Sequence, residues 1–245
     1  MRTVVITGGT QGIGAAIAER FHRAGDFVVI GARRDNGFAA KLGDRAQFVA
    51  ADVTQAEAHS RLVDAAVAAT GRLDVYVNNA GRSQWMPLDK ITAEFWSAML
   101  DVNARSVLLG AQAAARGLKP GGSILNISSL AGKRGSANNS VYCAAKFAVN
   151  GITQSLAKEL GPRGIRVNAV CPVLVRTPGL VEALREEPAP AGGNPDQFLA
   201  GFTQANAALG QLPTAEQVAE FCFALVGSDG VTGQCINVDC GVFPQ

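Results

Sequence analysis

Short apolar runs alternate with longer amphipathic stretches along the chain. Seven runs predict β-strands: TVVIT at 3–7, FVVI at 27–30, AQFVA at 46–50, LDVYV at 73–77, GSILNIS at 122–128, IRVNAV at 165–170 and CINV at 235–238. Most intervals leave room for a helix, and the first interval places Ile13, Ile17 and Phe21 on one helical stripe. Strands that alternate with helices favour right-handed βαβ units. The expected fold is an α/β, doubly wound parallel seven-stranded sheet with helices on both faces.

Composition limits the classes of protein that fit this pattern. With 48% hydrophobic and 17% charged residues in 245, we expect a single domain over residues 1–245. The net charge of +2 has no basic run, so neither nucleic acid nor membrane is an expected partner. Five cysteines lack metal-ligand spacing, so no metal is expected. The opening has no signal-peptide pattern and no run has membrane-spanning length, so we expect a cytoplasmic protein.

One segment breaks the alternation of strands and helices. Proline and glycine interrupt short helical pieces between residues 176 and 202. The βα pattern then resumes and ends on CINV. We therefore predict a substrate flap at about residues 176–213 rather than a domain linker.

The turn after the first strand, TGGTQGIG, is rich in glycine. Glycines between a first strand and a first helix allow a tight turn and let backbone approach a pyrophosphate at the helix N-terminus. Gly8, Gly12 and Gly14 have this placement. A glycine-rich turn without a ligand is the alternative.

Polar signals follow four later strands: Asp52, NNAG at 78–81, Ser129 and Pro172. In open α/β sheets, ligands bind outside the carboxyl ends of the strands. Caps and turns could explain each signal alone. Their common location instead predicts one binding crevice.

Tyr142 and Lys146 stand four positions apart in SVYCAAKFAV, on a predicted amphipathic helix. Residues at this spacing lie on nearly the same helix face. Packing with a solvated ammonium is the simple alternative. A lysine beside a tyrosine would, however, favour the phenolate and lower the tyrosine pKa from its usual value near 10.

These motifs occur together in the order found in one family. The matching set is Thr7-Gly8 with Gly12-Ile13-Gly14, Asp52, Asn78-Asn79-Ala80-Gly81, Asn103 in DVN, Ser129 in NISS, Tyr142-x-x-x-Lys146 and RVNAVCP. Over nearly its whole length the chain resembles the short-chain dehydrogenase/reductases. The interval from Ser129 to Tyr142 is the one that family usually shows, which favours Ser129 over Ser128. The resemblance implies a Rossmann-like fold.

The resemblance also implies catalytic roles. Tyr142 is expected as the proton donor, and as the base in the reverse direction. Lys146 is expected to hold the nicotinamide ribose, Ser129 to bond the substrate oxygen, and Asn103 to support a water-linked proton path. The expected function is an NADP(H)-dependent oxidoreductase that interconverts a ketone or aldehyde and an alcohol. The alternatives are a non-catalytic NADP-binding sensor and a sugar-nucleotide epimerase or dehydratase, although the chain has no room for the latter's longer substrate domain.

The family's cofactor contacts transfer to a defined set of positions. They are Gly8, Thr10, Gln11, Gly12, Ile13, Gly14, Arg33, Arg34, Asp52, Val53, Asn79, Ala80, Gly81, Tyr142, Lys146, Pro172, Val175 and Thr177. The acidic slot that selects NAD falls on Ala32, followed by Arg33, which favours NADP. Asp35, about 20 residues beyond Gly14, leaves NAD open.

Candidate substrate contacts are Ser129, Tyr142, Trp85 and Val173, the last in place of the family's usual glycine. Apolar residues in the flap predict a small to medium, largely uncharged carbonyl or alcohol. Apolar positions such as Leu108 and Phe147 predict a homotetramer, with a dimer second. His22 and His59 lie in predicted helices without evident partners.

Overall fold

The computed structural model describes residues 1–244, in which seven parallel strands form one sheet of order β3-β2-β1-β4-β5-β6-β7. The strands are β1 Thr3–Thr7, β2 Phe27–Ala32, β3 Ala46–Ala50, β4 Leu73–Asn78, β5 Leu118–Ile127, β6 Arg166–Pro172 and β7 Cys235–Val238. The order reverses between β1 and β4. The doubly wound, Rossmann-like sheet predicted from the sequence is confirmed.

Nine α-helices lie in the described part of the chain. They are α1 Gly12–Arg23, α2 Phe38–Leu42, α3 Ala56–Thr70, α4 Ala93–Leu100, α5 Ser106–Gly117, α6 Ser140–Leu160, α7 Pro178–Arg185, α8 Pro195–Asn206 and α9 Ala215–Val226. A π-helical segment, Asp101–Arg105, joins α4 to α5. None of the helices within residues 1–244 is both long and apolar enough to cross a membrane.

The core lies on both faces of the sheet because side chains alternate along each strand. Val4 and Ile6 of β1 pack with Ile17 and Phe21 of α1 and with residues of α9. Val5, between them, packs on the opposite face against the cluster formed by α3, α5 and α6. Both faces are therefore covered, as an all-parallel sheet requires.

The segment predicted as a flap contains α7 and α8. Its apolar side chains form a separate small cluster that includes Trp85, Ala183, Leu184 and Leu199. Arg176 and Asp196 form an exposed ion pair within the same segment. This cluster fixes the two helices to the loop that follows β4.

Candidate active site

The glycine turn between β1 and α1 has a shape that other residues would disturb. Gly8 and Gly12 adopt φ values of 65° and 56°, in the left-handed region that favours glycine. A Cβ on Gly14 would lie 2.9 Å from the Gly8 carbonyl carbon, and closer still to Gly8 O and Asn79 Nδ2. The turn is therefore held close to the loop after β4.

The N-terminus of α1 is open to an anion. Gln11 occupies the N-cap position without a side-chain capping hydrogen bond, and the first turn contains no acidic residue. Its unpaired backbone N–H groups and the positive end of the helix dipole favour negative charge. These features fit the pyrophosphate of a dinucleotide.

Thr7 and Asn79 join the glycine turn to the NNAG motif. The Thr7 hydroxyl accepts hydrogen bonds from the backbone N–H groups of Asn79 and Ala80, at 3.0 and 3.1 Å. Asn79 Nδ2 donates back to the carbonyl oxygens of Thr7 and Gly8, at 2.9 and 3.1 Å. The two motifs predicted to converge thus form one hydrogen-bonded unit.

The ends of β2 and β3 carry the residues that bear on cofactor choice. Arg33 and Arg34 are exposed directly after Ala32. Asp35 Oδ1 accepts a hydrogen bond from the Gly37 backbone N–H at 2.8 Å, which holds this carboxylate in a local turn. Asn36 Nδ2 donates to the Thr10 carbonyl at 2.9 Å and so ties this loop to the glycine turn.

Asp52 lies beyond the end of β3. Its Oδ1 accepts hydrogen bonds from the Thr54 backbone N–H at 3.0 Å and from the Thr54 hydroxyl at 2.8 Å. These bonds, with a smaller contribution from the Arg33 charge, lower the pKa of Asp52. Asp52 is therefore an anion near Arg33 at neutral pH.

Ser129 and Tyr142 lie together at the carboxyl end of β5. Their side chains share a hydrogen bond. Ser129 Oγ also accepts from the Ala131 backbone N–H at 3.1 Å. Ser128, in contrast, is buried and donates to the Lys146 carbonyl at 3.3 Å. Ser129 is thus the serine of this pair that contacts the tyrosine.

Lys146 lies behind Tyr142 and is only 4% exposed. Its Nζ donates to the Ile127 carbonyl at 2.9 Å and lies 5.7 Å from the centroid of the Tyr142 ring. Burial lowers the pKa of Lys146 to about 8. Lys146 is still protonated at neutral pH.

The pKa of Tyr142 differs from the expectation that Lys146 would lower it. Burial is the dominant effect and raises the pKa to about 12, against a lowering by the Ser129 hydrogen bond. The physical reason is that desolvation penalises the phenolate more than its neighbours stabilise it. Tyr142 is therefore a protonated phenol at neutral pH.

Asn103 occupies the π-helical segment, and such segments are frequent at functional sites. Its Nδ2 donates to the Met99 carbonyl at 3.0 Å, while its Oδ1 accepts from the Arg82 backbone N–H at 3.1 Å. A Cβ on Gly81 would lie 2.7 Å from Asn103 Oδ1 and 3.8 Å from Lys146 Nζ. Gly81 thus brings the NNAG motif against the predicted catalytic residues.

The segment after β6 closes the crevice from the other side. Thr177 caps α7, accepting a hydrogen bond from the Leu180 backbone N–H at 3.2 Å, and its Cγ2 lies 3.1 Å from where a Gly12 Cβ would be. Pro172 and Val175 are buried, and Val173 is half-buried with its backbone N–H bonded to the Val238 carbonyl. Thr177 and the glycine turn therefore face each other.

Trp85 is 7% exposed and lies in the cluster that anchors α7 and α8. Met86, next to it, donates its backbone N–H to the Asn138 carbonyl at 2.6 Å. The Trp85 side chain is thus packed against the flap. A cleft of about 530 Å³ runs along α7 and is lined by Arg176, Thr177, Pro178, Val181, Glu182 and Arg185.

Two buried polar groups near the site were missed at the level of sequence. Asn78 Nδ2 donates to Asn126 Oδ1, and Asn126 Nδ2 donates to the Thr153 hydroxyl, each at 2.9 Å. These bonds connect β4, β5 and α6 beneath Tyr142. The prediction that His59 lacks partners is wrong, because it bonds Tyr76 and Val53. Residue type and spacing gave no signal for either group, since both depend on contacts between distant segments.

Comparisons with known proteins agree with this arrangement. A family model described as enoyl-(acyl carrier protein) reductase matches residues 8–243. Diacetyl reductase [(S)-acetoin forming] of Staphylococcus aureus is 38% identical over 98% of this chain and 97% of its own length.

Two solved structures are similar over nearly the whole chain. A single-residue variant of actinorhodin polyketide ketoreductase, solved with NADPH, has a TM-score of 0.89 at 32% identity and covers 98% of this chain and 97% of its own. A short-chain dehydrogenase/reductase (glucose/ribitol dehydrogenase) of Brucella melitensis has a TM-score of 0.90 at 31% identity, covering 100% and 97%. With these matches and the motifs in place, the chain belongs to the short-chain dehydrogenase/reductase family of oxidoreductases.

Proposed function

We propose that the protein is an NADP(H)-dependent oxidoreductase that interconverts a ketone or aldehyde and an alcohol, with Tyr142 as the acid and base. The observation that carries the proposal is the assembly of four residues beside the glycine turn. Tyr142 is bonded to Ser129, and Lys146 and Asn103 border the same glycine, Gly81. A sensor without turnover would not need this set.

Each residue has a distinct part in the proposed reaction. NADPH, when bound, supplies the hydride. Tyr142, protonated at neutral pH, donates its hydroxyl proton to the carbonyl oxygen as negative charge develops there. Ser129 donates a hydrogen bond to the same oxygen. Lys146 stabilises the phenolate that remains, and Asn103 positions the segment behind it.

Binding of NADP(H) is supported by the residues around the turn. The open N-terminus of α1 would hold the pyrophosphate, and Arg33, with Arg34 beside it, would pair with the 2′-phosphate. Ala32 offers no carboxylate to repel that phosphate. Asp35 is the only rival acceptor that the sequence suggested, and its Oδ1 bonds the Gly37 backbone N–H. Asp52 and Val53 would then lie against the adenosine half, at the ends of neighbouring strands.

For the substrate, we propose a small to medium, largely uncharged carbonyl compound or secondary alcohol. Two of the proteins compared above, by name a diacetyl reductase and a polyketide ketoreductase, act on ketones. Half-buried Val173 would narrow the site beside Tyr142. Trp85 would shape it indirectly, through the flap cluster.

The test is a panel of ketones and alcohols assayed with NADPH, NADH, NADP⁺ and NAD⁺. We expect oxidation of NADPH with at least one uncharged ketone and weaker activity with NADH. Tight NADPH binding without any turnover across the panel would favour the sensor alternative. Turnover only of charged sugars or nucleotide-linked substrates would reject the proposed substrate class.

We also propose that the protein assembles as a homotetramer, with a dimer as the second possibility. Large apolar side chains, Trp96, Leu108 and Phe147, are 47%, 38% and 49% exposed on α4, α5 and α6. Contiguous apolar surface of this kind commonly marks an interface. Light scattering at micromolar concentration should report a tetramer, and a monomer would contradict this. Cytoplasmic localisation stays a prediction.

A further inference from the structure

His59, on α3, is a buried histidine with both ring nitrogens bonded. Nδ1 lies 2.8 Å from the Tyr76 hydroxyl, and Nε2 lies 2.8 Å from the Val53 carbonyl oxygen. His59 is 1% exposed and Tyr76 is fully buried. The three groups come from α3, from β4 and from the loop after β3.

The hydrogen bonds have a defined direction. The Val53 carbonyl can only accept, so Nε2 must carry the proton. Burial lowers the pKa of His59, so the ring is neutral and Nδ1 is an acceptor. Burial also raises the pKa of Tyr76, whose hydroxyl therefore stays protonated and donates. The tyrosine thus fixes the tautomer and orientation of the histidine, because the bond at one ring nitrogen determines the role of the other.

The loop held by this pair has little other support. Within the described residues, β3 is an edge strand, bonded only to β2, and its paired residues end at Ala50. One further bond, from the Ala51 backbone N–H to the Ala32 carbonyl, follows before Asp52 and Val53. The bond from His59 reaches the Val53 carbonyl from inside the core. It anchors the turn at a point beyond the last hydrogen bond of the sheet.

We propose that His59 is a positioning residue that fixes the Asp52–Val53 turn against the adenosine half of NADP(H). This inference rests on the proposed function, which assigns Asp52 and Val53 to that half. His59 itself lies behind the turn and touches the Val53 carbonyl. Its contribution should appear in cofactor affinity and leave the chemical step unchanged.

A purely structural role makes a different prediction. If His59 and Tyr76 only filled the core, then leucine and phenylalanine would replace them with little loss, since removing both partners of a buried hydrogen bond is often nearly neutral. An apolar pair cannot donate a hydrogen bond to the Val53 carbonyl. The double variant therefore separates packing from positioning.

The experiment compares four proteins: wild type, His59→Leu with Tyr76→Phe, His59→Gln, and Thr70→Val. Glutamine retains a side-chain N–H that can reach the carbonyl. Thr70→Val is the matched control, because Thr70 lies at the far end of the same helix and bonds the Thr3 hydroxyl at 2.6 Å. Calorimetry measures binding of NADPH and of adenosine 2′,5′-bisphosphate, which carries only the adenosine half. Steady-state kinetics gives kcat at saturating NADPH.

We expect the double variant to bind both ligands about two- to tenfold more weakly, the effect of one neutral hydrogen bond, with kcat within about twofold of wild type. His59→Gln and Thr70→Val should bind like wild type. Unchanged affinity in the double variant would overturn the inference. So would an equal loss in Thr70→Val, or a loss in kcat without a loss in affinity, because these indicate general loosening.

Hydrogen exchange of residues 51–55, measured without nucleotide, separates this inference from the proposed function. The double variant should exchange faster there than wild type, and Thr70→Val should not. If wild type binds neither nucleotide, the cofactor assignment fails, whereas the exchange result still decides whether His59 holds the turn. If the double variant does not fold, Tyr76→Phe alone gives the same comparison, with faster exchange expected and unchanged exchange contradicting the inference.

Discussion

The close approach at Gly14 allows a sharp test of how the glycine turn is built. In Gly14→Ala, the new Cβ would crowd the Gly8 carbonyl and Asn79 Nδ2, and no flexible side-chain end is available to move aside except the Asn79 amide. Moving that amide would disrupt its hydrogen bonds to the Thr7 and Gly8 carbonyls. The substitution therefore strains the turn and its link to the NNAG motif together.

Three effects set the size of the change. Alanine gains about 1 kcal/mol over glycine within a helix. Overpacking costs about 1–3 kcal/mol, and each hydrogen bond lost costs about 0.5–1.5 kcal/mol. The free energy of unfolding should therefore fall by about 1–4 kcal/mol. The NADPH affinity should fall about tenfold or more, since a charge-assisted contact with the pyrophosphate is lost.

Gly201→Ala is the matched control, because Gly201 lies within α8, is exposed and has no atom within 4 Å of its built Cβ. It should stabilise the protein by about 0.5–1 kcal/mol and leave NADPH binding unchanged. Urea unfolding and a fluorescence titration with NADPH measure both quantities. If Gly14→Ala is as stable as Gly201→Ala and binds NADPH like wild type, the reasoning about close approach is refuted.

Three further predictions concern cofactor choice and catalysis. Ala32→Asp with Arg33→Ala should reverse the preference from NADPH to NADH, because it adds a ribose acceptor and removes a cation worth about ten- to a hundredfold in affinity; comparable wild-type use of both cofactors would count against it. Ketone reduction should decline as pH rises through about 8, where buried Lys146, protonated below this pH, loses its charge; a flat pH profile of kcat/KM up to about pH 10 would contradict this. Ser129→Ala should reduce kcat about a hundred- to a thousandfold, by analogy with loss of an oxyanion donor, while NADPH affinity is kept; single-turnover kinetics and calorimetry separate the two.

The fold could be predicted because local patterns and the topology of the sheet agree. Runs of β-branched residues marked each strand, and four of them, β1, β3, β7 and the start of β2, were placed at the observed residues. β5 begins at Leu118, four residues before the predicted start, because LKPG lacks a strand pattern and pairs through Leu73 and Leu118 across an irregular register. Only the neighbouring strand reveals that extension.

The site was partly predictable for a similar reason. Glycines with left-handed φ and polar residues at the carboxyl ends of strands have few other uses, so their positions carried information. Burial, in contrast, depends on contacts between distant segments. The raised pKa of Tyr142, the packing of Trp85 in the flap and the left-handed φ of 54° at Cys240, where the family commonly has glycine, could not be derived from spacing.

The central claim, that Tyr142 transfers the proton, is tested most directly by Tyr142→Phe. This change removes the hydroxyl and little volume, so the fold should be retained and NADPH should still bind. The measurement is single-turnover oxidation of bound NADPH by a ketone that the wild type reduces. The account predicts that the rate falls by about two to four orders of magnitude, the usual contribution of general acid catalysis. A rate near that of wild type would contradict it.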